Sequence, residues 1–485
     1  MSDMYSIVEY YGRKGVDSCG YCKTNKGRSD YGMWLHYLNV TDYQNLIDRG
    51  WRRSGCYGYK SVMKDACCFL YTIRCSACNL KLSRNHKKLI KRFNRFITHG
   101  DRRKYHEKNK DAVRENTDIP IESFEQKNSF ISMTESKFKK PKKETEISIT
   151  GSGDVSEVGI CIEPSTVENR NYCIVQRNQK KKKTIRIERA IKRVMEKGNT
   201  REEAISILKS KKRYPKEKTL EEFLNECEKP NSVHKLEIKL VQSSPLNECF
   251  EQTFETEYEV YKKYQTVIHK DTPEKCTKQQ FRRFLVNSPL EPQTLEIENA
   301  PIKYFGSYHH QYWIDEKLIA VGVIDILPNC LSSVYFFYDP QYSDLILGTY
   351  GSMRELQLIR QLQKFIPSLQ YYYMGFYIHS CPKMRYKARF SPSYLLCPET
   401  YTWCPISKCL DKIEKYGYCR LHENLSTKDT DETTNVQDVM VLYWGNILQY
   451  AEFRRKCKKE DINEVTEYVK SIGKKCASSM ILYRG

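Results

Sequence analysis

The sequence contains no apolar run of about 18 residues, the length that a helix needs to cross a membrane. Its first residues, MSDMYSIVEYYG, lack the basic start and the apolar stretch of a secretory signal peptide. No internal repeat is visible either. The first two absences argue against a membrane-embedded or secreted protein. We therefore expect a cytoplasmic protein without a membrane partner, for which the nucleus is a second expected location.

Acidic residues are scarce relative to basic ones. The chain of 485 residues carries 81 lysines and arginines against 60 aspartates and glutamates, a formal net charge of +21. The excess is concentrated, because residues 1–100 hold 18 basic and 7 acidic side chains and residues 176–218 hold 17 and 5. Concentrated positive charge favours a polyanionic partner such as a nucleic acid backbone, although a basic surface can also serve solubility alone.

Cysteine is abundant, with 20 residues, and without a signal peptide most of them should be reduced thiols. C-x-x-C pairs occur at residues 19–22 and 75–78, and an adjacent pair occurs at residues 67–68. Two sulfurs on a tight turn can hold one zinc ion with a second pair, and thiolates also hold iron–sulfur clusters. Spacing alone does not decide between zinc, a cluster and free thiols.

The chain is long enough for two or three domains rather than one core. A stretch with many Ser, Thr, Glu and Lys residues and few aromatics cannot bury enough apolar surface to order itself. The predicted division is a cysteine-rich α/β domain at 1–99, a disordered linker at 100–176, a basic helical segment at 177–218, a mixed domain at 219–430 and a helical tail at 431–485. The main helix of the tail is predicted at Asp438–Arg455.

The most informative stretch is an aromatic, β-rich region in the second half of the chain. Strand patterns occur at Tyr304–Ile314, Lys317–Leu327 and Leu331–Tyr338, and the middle one is almost entirely apolar. Residues from Tyr342 to Phe365 have helical spacing, and Tyr371–His379 is a further strand pattern. Three strands, a helix and a strand predict an α+β fold with a mixed sheet, as in GNAT-like (N-acetyltransferase-type) acyltransferases.

Two features of this region bear on its chemistry. The segment GTYG at residues 348–351 could present backbone N–H groups to an anion, but it lacks the spacing of an acetyl-CoA loop, so CoA is not expected. Asp325 ends a buried strand, and a buried carboxylate needs a cationic partner. It is a candidate for binding a guanidinium group or for acting as a general base, with a strand-end turn as the structural alternative.

Longer segments of the sequence resemble one enzyme family. GSYHHQYWIDEKLIAVGVIDILP, CLSSVYFFYDP and YYYMGFYIHSCPKMRYKAR, with CGYC and GWRRSG near the N-terminus, are similar to arginyl-tRNA–protein transferases over about residues 5–95 and 219–420. The resemblance implies an aminoacyltransferase that moves arginine from arginyl-tRNA to the α-amine of proteins that begin with Asp or Glu. Such transfer marks proteins for ubiquitin-dependent degradation in the N-degron pathway. We expect a monomer.

The resemblance also implies a metal centre. The cysteines that characterise the family correspond to Cys19, Cys22, Cys67 and Cys68, as ligands of zinc or of an iron–sulfur cluster. A second set near the C-terminus also has spacing that could hold a metal, although Cys404 stands where the family usually has an apolar residue. This second set is Cys404, Cys409, Cys419 and His422.

The site residues are inferred from the needs of the implied reaction. The predicted catalytic set joins the strand-end carboxylate to three side chains of the neighbouring strand: Asp325, Tyr308, His309 and Gln311. Other side chains, mostly cations, would contact the tRNA end, the arginine or the acidic acceptor. These predicted substrate contacts are Arg52, Arg53, Tyr312, His379, Lys383, Arg385 and Lys387.

Two other functions fit parts of the pattern. A tRNA-binding protein with an inactive acyltransferase fold would bind tRNA in a salt-sensitive way without turnover. An acetyl-CoA-dependent acetyltransferase would bind CoA, against which the GTYG segment argues.

Overall fold

The computed structural model describes residues 5–16, 19–22, 24, 27–102, 182–210, 217–457 and 461–485. The chain divides into two compact units, one made of residues 1–130 and 219–485 and the other of residues 131–218. The linker predicted at 100–176 lies outside the described residues except for residues 100–102. None of the described helices is long and apolar enough to cross a membrane.

The strands and helices are numbered here in chain order. The strands are β1 (Ser6–Arg13), β2 (Asp30–Tyr37), β3 (Arg52–Ser54), β4 (Tyr57–Ser61), β5 (Tyr71–Ser76), β6 (Leu236–Ser244), β7 (Gln293–Thr294), β8 (Tyr304–Ile314), β9 (Lys317–Ile326), β10 (Cys330–Tyr338), β11 (Tyr371–Tyr377), β12 (Ser393–Leu396), β13 (Trp403–Pro405), β14 (Met440–Tyr443), β15 (Asn446–Gln449) and β16 (Met480–Tyr483).

The α-helices are α1 (Val40–Ile47), α2 (Arg84–His99), α3 (Lys182–Met195), α4 (Arg201–Ser210), α5 (Leu220–Leu224), α6 (Glu248–Tyr264), α7 (Lys278–Phe281), α8 (Leu347–Leu362), α9 (Pro382–Arg385), α10 (Ile406–Tyr416), α11 (Tyr450–Cys457) and α12 (Ile462–Ser479). Short 3₁₀ or π turns occur at Met63–Asp65, Asn225–Cys227, Gln265–His269, Pro273–Lys275, Arg282–Val286, Pro340–Leu345, Tyr386–Arg389 and Val436–Asp438.

The larger sheet contains the predicted strand–strand–strand–helix–strand region. Its strands run in the order β13-β12-β5-β11-β10-β9-β8-β6, with β7 paired to β8. Asp315 and Glu316, both in the left-handed region with φ of 48° and 63°, make the tight β8–β9 turn. β9 pairs antiparallel with β8 and β10, whereas β10 pairs parallel with β11. The mixed α+β fold is therefore confirmed, and this order is consistent with a GNAT-like arrangement.

Successive side chains of β8 point to opposite faces of the sheet, and each face contacts a different helix. His309 and Gln311 face α6, where both contact Glu257, while the Tyr312 hydroxyl on the other face approaches the Gly351 carbonyl of α8. β9 is buried from Leu318 to Ile326, as expected for a central strand that is covered on both faces. The predicted catalytic residues thus lie in a packed layer.

The first hundred residues are joined to the larger sheet by β5. This strand lies between β11 and β12 and pairs antiparallel with both. α2 begins at the Ser83 cap, whose hydroxyl accepts from the His86 N–H, and ends at Gly100 with φ of 65°. The larger sheet therefore contains strands from both sides of the domain boundary predicted at residue 99. β5 precedes this boundary, whereas β11 and β12 follow it.

The C-terminal residues contribute to a second sheet. Its order is β15-β14-β16-β1-β2-β4-β3, in which β16 pairs parallel with β1 and with β14. The helix predicted at Asp438–Arg455 is wrong over its first part, where β14 and β15 form a hairpin. Trp444 and Gly445 form its turn with φ of 44° and 77°, and such short apolar runs do not distinguish strands from helices.

The second unit contains the helices predicted from the basic segment. α3 and α4 are separated by a turn at Gly198, which has φ of 89°. The Thr200 and Glu203 side chains each accept from the other's backbone N–H at the start of α4, which is a capping box. This helix pair confirms the local prediction.

Candidate active site and thiol centre

Asp325 is fully buried and is held by an arginine of the same chain. Its Oδ2 accepts from Arg53 Nε at 2.8 Å, and its Oδ1 accepts from Arg53 Nη2 at 2.6 Å and from the Ser307 hydroxyl at 2.7 Å. Arg53 also donates to the Gly55 carbonyl, so its donors are used within the fold. Although burial opposes it, Asp325 raises the pKa of Arg53 further above its usual value.

This ion pair shows that Asp325 and Arg53, two predicted site residues, bind each other. Asp325 was expected to meet a ligand's guanidinium group, whereas the guanidinium group that it meets belongs to Arg53 of β3. Trp51, the first residue of the WRRSG segment, is also buried and donates to the Ser471 carbonyl. Arg53 therefore links the smaller sheet to the larger one, and Trp51 links the segment to α12.

His309 and Gln311 meet a buried carboxylate that the sequence did not single out. Glu257 lies on α6 with its Oε2 next to His309 Nδ1, and its Oε1 accepts from Gln311 Nε2 at 2.8 Å. His309 Nε2 lies 3.1 Å from the Leu285 carbonyl, so both ring nitrogens of His309 have a hydrogen-bond partner. The group is fully enclosed and therefore holds α6 on the sheet.

The two tyrosines of β8 make different contacts. The Tyr308 hydroxyl donates to the Tyr304 carbonyl at 2.7 Å, four residues earlier on the same strand. The Tyr312 hydroxyl lies 3.0 Å from His310 Nδ1 and is fully buried. Burial raises the pKa of both phenols, that of Tyr308 to about 12, so neither is poised to lose its proton at neutral pH.

The predicted contacts after β11 are brought together on one short segment. His379 lies between the Tyr377 hydroxyl, at 2.7 Å, and the Glu414 carboxylate. Arg385 Nε donates to the His379 carbonyl, and Lys383 lies on the same short helix, α9. Lys387 instead points inward, where its Nζ donates to the Phe376 carbonyl at 2.8 Å. Burial, and then Arg52, lower its pKa to about 7.

Arg52 is buried, and part of its guanidinium group is not hydrogen-bonded to the described residues. Its Nη1 donates to the Ile47 carbonyl at 3.2 Å, but its Nε and Nη2 have no hydrogen-bond partner among the described residues. The guanidinium carbon lies 5.4 Å from the centre of the Phe376 ring, which forms part of the cavity described next. Arg52 and Lys387 therefore place two cationic side chains behind one wall of that cavity.

A cavity of about 310 Å³ lies beside the predicted residues rather than among them. Segments that are far apart in sequence contribute to it, including the C-terminal helix α12. Its charged side chains are mostly cations, and aromatic rings form much of its wall. The charged and aromatic lining residues are Arg49, Lys60, Lys64, Glu467, Lys470, Tyr31, Phe376, Tyr401 and Tyr418.

Two cations of the cavity are free to meet a ligand. Arg49 is neutralised by Asp429 at 2.8 Å, with Asp431 close by. Lys64 and Lys470, by contrast, are exposed and form no ion pair with the described residues. Glu467 accepts from the Tyr10 hydroxyl at 2.8 Å and is the carboxylate of the lining. Sequence reasoning missed this site, because the only early signal was the basic balance of the first hundred residues.

The four N-terminal cysteines converge as predicted. The sulfurs of Cys19, Cys22, Cys67 and Cys68 lie within 4.8 Å of one another. Cys22 and Cys67 approach to 3.3 Å. Although burial opposes it, hydrogen bonds from Thr24 and Cys67 lower the pKa of the Cys22 thiol to about 6. Four thiols in reach of one ion, one of them readily deprotonated, fit a thiophilic metal.

The thiol centre adjoins the cavity. Cys19 and Cys68 belong to a small apolar cluster with Leu70, Phe376 and Ile378. Leu70 and Phe376 also line the cavity. Among the described residues no second group of three or more ligands is close enough for a metal, so the set at Cys404, Cys409, Cys419 and His422 is not assembled.

Glu355 of α8 is a buried carboxyl group outside the predicted site. Its Oε2 accepts from the Tyr372 hydroxyl at 2.5 Å, while its Oε1 has no hydrogen-bond partner among the described residues. Burial raises the pKa of Glu355 to about 7 from an ordinary value of 4.5. The folded state therefore holds a proton that the unfolded state releases between those two pH values.

Stability should fall as the pH rises through this window. We expect the free energy of unfolding to be lower at pH 8 than at pH 5 by about 2–3 kcal/mol from this group, because above its folded pKa the buried carboxylate must ionise. Urea unfolding at both pH values measures the difference, and Glu355→Gln should remove it. Equal pH dependence in the variant and the unaltered protein would contradict this assignment.

Comparisons with known proteins point in one direction. The family described as "Arginine-tRNA-protein transferase, C terminus" matches residues 256–397, and the corresponding N-terminal family matches residues 17–88. Arginyl-tRNA–protein transferase 1 of Drosophila melanogaster is 37% identical over 98% of this chain and 99% of its own length. Arginyl-tRNA–protein transferase 2 of Arabidopsis thaliana is 34% identical over 85% of this chain and 77% of its own.

A bacterial relative is similar over a shorter stretch. An aspartate/glutamate leucyltransferase of Campylobacter jejuni is 36% identical over 92 residues, which are 19% of this chain and 36% of that protein.

Proposed function

The chain belongs to the arginyl-tRNA–protein transferase family, and on this premise we propose that its basic cavity receives the first residue of an acidic acceptor protein. The enzyme is an aminoacyltransferase that moves arginine from arginyl-tRNA to the N-termini of proteins. The reaction joins the acceptor's α-amine to the ester carbonyl of the arginyl group and releases tRNA. The proposed acceptors begin with Asp or Glu.

The observation that carries this proposal is the charge of the cavity. Lys64 and Lys470 are cations without an ion-pair partner among the described residues, and an acidic side chain needs such a cation. The name of the Campylobacter relative also pairs an aminoacyl group with aspartate and glutamate. A volume of about 310 Å³ is at the lower end of ligand pockets and suits one residue better than a folded segment.

An exposed stripe on α2 is the proposed contact for the phosphate backbone of tRNA. Arg84, Lys88, Lys91 and Arg95 are exposed and recur every three or four residues, so they lie on one face of the helix. Each contact between such a side chain and a phosphate releases counterions, so binding should weaken steeply with salt. In the second unit, α3 is also rich in basic residues, whereas α4 carries equal numbers of basic and acidic ones.

The thiol centre is proposed to hold zinc or an iron–sulfur cluster through Cys19, Cys22, Cys67 and Cys68. Bound there, either group would fix the chain around residues 19–22 and 67–68 and so stabilise the adjoining cavity wall. We propose that the protein acts in the cytoplasm, with the nucleus as a second location, and that its products enter ubiquitin-dependent degradation.

The acceptor proposal is tested by transfer from charged arginyl-tRNA to short peptides. Peptides that begin with Asp or Glu should be arginylated, whereas the same peptides with an acetylated α-amine should not, because they lack the nucleophile. A peptide that begins with Ala should react more slowly, since it offers no carboxylate to the cavity cations. Binding of tRNA without transfer to any peptide would instead favour the inactive, tRNA-binding alternative.

Charge reversal in the cavity gives a sharper test. Lys64→Glu should raise KM for the Asp and Glu peptides by about tenfold, because a favourable contact worth about 1.4 kcal/mol becomes a repulsive one. The matched control is Lys364→Glu, which changes an exposed lysine that does not line the cavity. An equal KM in both variants would show that acidic acceptors bind elsewhere.

A further inference from the structure

Lys60 has an unusual setting for a lysine. It follows the tight β3–β4 turn, lines the cavity, and directs its Nζ at two acceptors. These are the Tyr401 hydroxyl at 2.7 Å and the Ser471 carbonyl at 3.0 Å. Among the described residues, no carboxylate lies within ion-pair distance of Lys60. Lys60 is thus partly buried and hydrogen-bonded but not neutralised.

A break in α12 creates this setting. Gly473 has φ of 83° and ψ of 169°, so the helix is interrupted and the carbonyls before it lose their usual partners. The Lys470 carbonyl accepts from Arg49, and the Ser471 carbonyl accepts from Trp51 and Lys60. A side chain at residue 473 would collide with Asp431 and Arg49. The C-terminal helix therefore fixes Lys60 at the cavity through its backbone.

Tyr401 is held with similar precision on the opposite side. Its backbone lies in the left-handed region with φ of 50°, which costs energy in a residue other than glycine. The Arg49 guanidinium carbon lies 4.1 Å from its ring centre and Lys60 Nζ lies 4.5 Å from it. Two N–H groups of Lys60 are occupied by Tyr401 and Ser471, so the remaining position on nitrogen is available to a molecule in the cavity.

The surrounding charges disfavour a protonated Lys60. Burial, followed by the charge of Arg49, lowers the pKa of Lys60 well below its usual value, and Asp429 opposes the shift. The other ionisable groups that line the same cavity are Lys64, Glu467, Lys470, Tyr31 and Tyr418. Two of these groups, Lys64 and Lys470, carry basic side chains, and Glu467 carries an acidic one.

We propose that Lys60 is the general base that removes a proton from the acceptor's α-ammonium group, a role that rests on the proposed function. Lys60 Nζ takes one proton, and the freed amine forms a C–N bond with the arginyl carbonyl carbon. The ester C–O bond to tRNA then breaks, and the departing ribose oxygen takes the proton from Lys60. The remaining excess proton on the new amide nitrogen passes to water, so charge and atoms balance.

The test compares Lys60→Gln and Lys60→Arg with the unaltered enzyme, using an Asp peptide at saturation from pH 6 to pH 9. Both variants should lose at least about 100-fold in kcat at pH 6.5, because neither side chain can accept the proton. The loss should narrow above pH 8, where the α-amine is largely unprotonated in solution. KM should change much less than kcat. Lys364→Gln, at an exposed position away from the cavity, is the matched control.

A structural role for Lys60 would give a different pattern. Recovery of activity in Lys60→Arg, or an equal loss at every pH, would overturn the proposal. If Lys60→Gln does not fold, Tyr401→Phe tests the same proposal. This variant removes the hydroxyl that accepts from Lys60 Nζ, so the acidic limb of the plot of kcat against pH should shift. An unchanged limb would overturn it. Absence of transfer by the unaltered enzyme would instead refute the proposed function, so the two failures are distinguishable.

Discussion

Replacing Asp325 by alanine is expected to lower the free energy of unfolding by about 3–5 kcal/mol. The substitution removes both carboxylate oxygens that accept from the Arg53 guanidinium group and leaves that cation buried without a counter-charge. The Ser307 hydroxyl loses the Asp325 carboxylate as its acceptor as well. Urea or thermal unfolding measures the change, and the loss of transfer activity should follow the loss of folded protein.

The double variant Arg53→Met with Asp325→Leu separates a structural role from a catalytic one. Replacing both members of a buried ion pair by apolar side chains of similar size is often neutral, because the desolvation cost of both charges disappears. We expect this variant to recover most of the stability and, with it, arginine transfer. A stable double variant without transfer would show that Asp325 or Arg53 takes part in the reaction itself.

The sequence predicts the position of Asp325 but not the identity of its partner. Its position at the end of a buried strand is a local property, and the sequence predicts it well together with the β8–β9 turn and α8. The partner of its carboxylate is 272 residues away, however, and no spacing rule connects Arg53 to β9. A buried carboxylate predicts a nearby cation, but it does not indicate whether that cation belongs to the chain or to a ligand.

The cavity could not be predicted for the same reason. Arg49, Lys60, Tyr401 and Lys470 come from three separate parts of the chain, and they meet only because β16 joins β1 and α12 is broken at Gly473. The thiol centre differs, because its cysteine pairs are visible in short segments, although the choice of residues 67–68 over the C-x-x-C pair at 75–78 comes from the family resemblance and not from spacing. The pairing of β16 with β1 depends on contacts between distant parts of the chain. The spacing of metal ligands, in contrast, is visible within a few neighbouring residues.

Loss of the thiol centre is expected to have the second large effect. Cys22→Ser with Cys67→Ser should abolish metal binding and lower Tm markedly, because structural metal ions contribute several kcal/mol or more to folding. An ion bound at this centre would no longer tie Cys19 and Cys68 to the other two thiols, and both cysteines pack with Leu70 and Phe376, two residues of the cavity wall. Transfer activity should therefore fall even in protein that remains folded.

Metal analysis of anaerobically purified protein, with absorbance spectra and thermal unfolding, measures this effect independently of activity. Zinc at one equivalent would give no visible absorbance, whereas a cluster would give iron, sulfide and a coloured protein. Cys249→Ser is the matched control, because Cys249 is exposed and lies outside the group of four. Metal-free protein with unchanged Tm and full transfer would mean that the four thiols, although close enough for an ion, act only as packing residues.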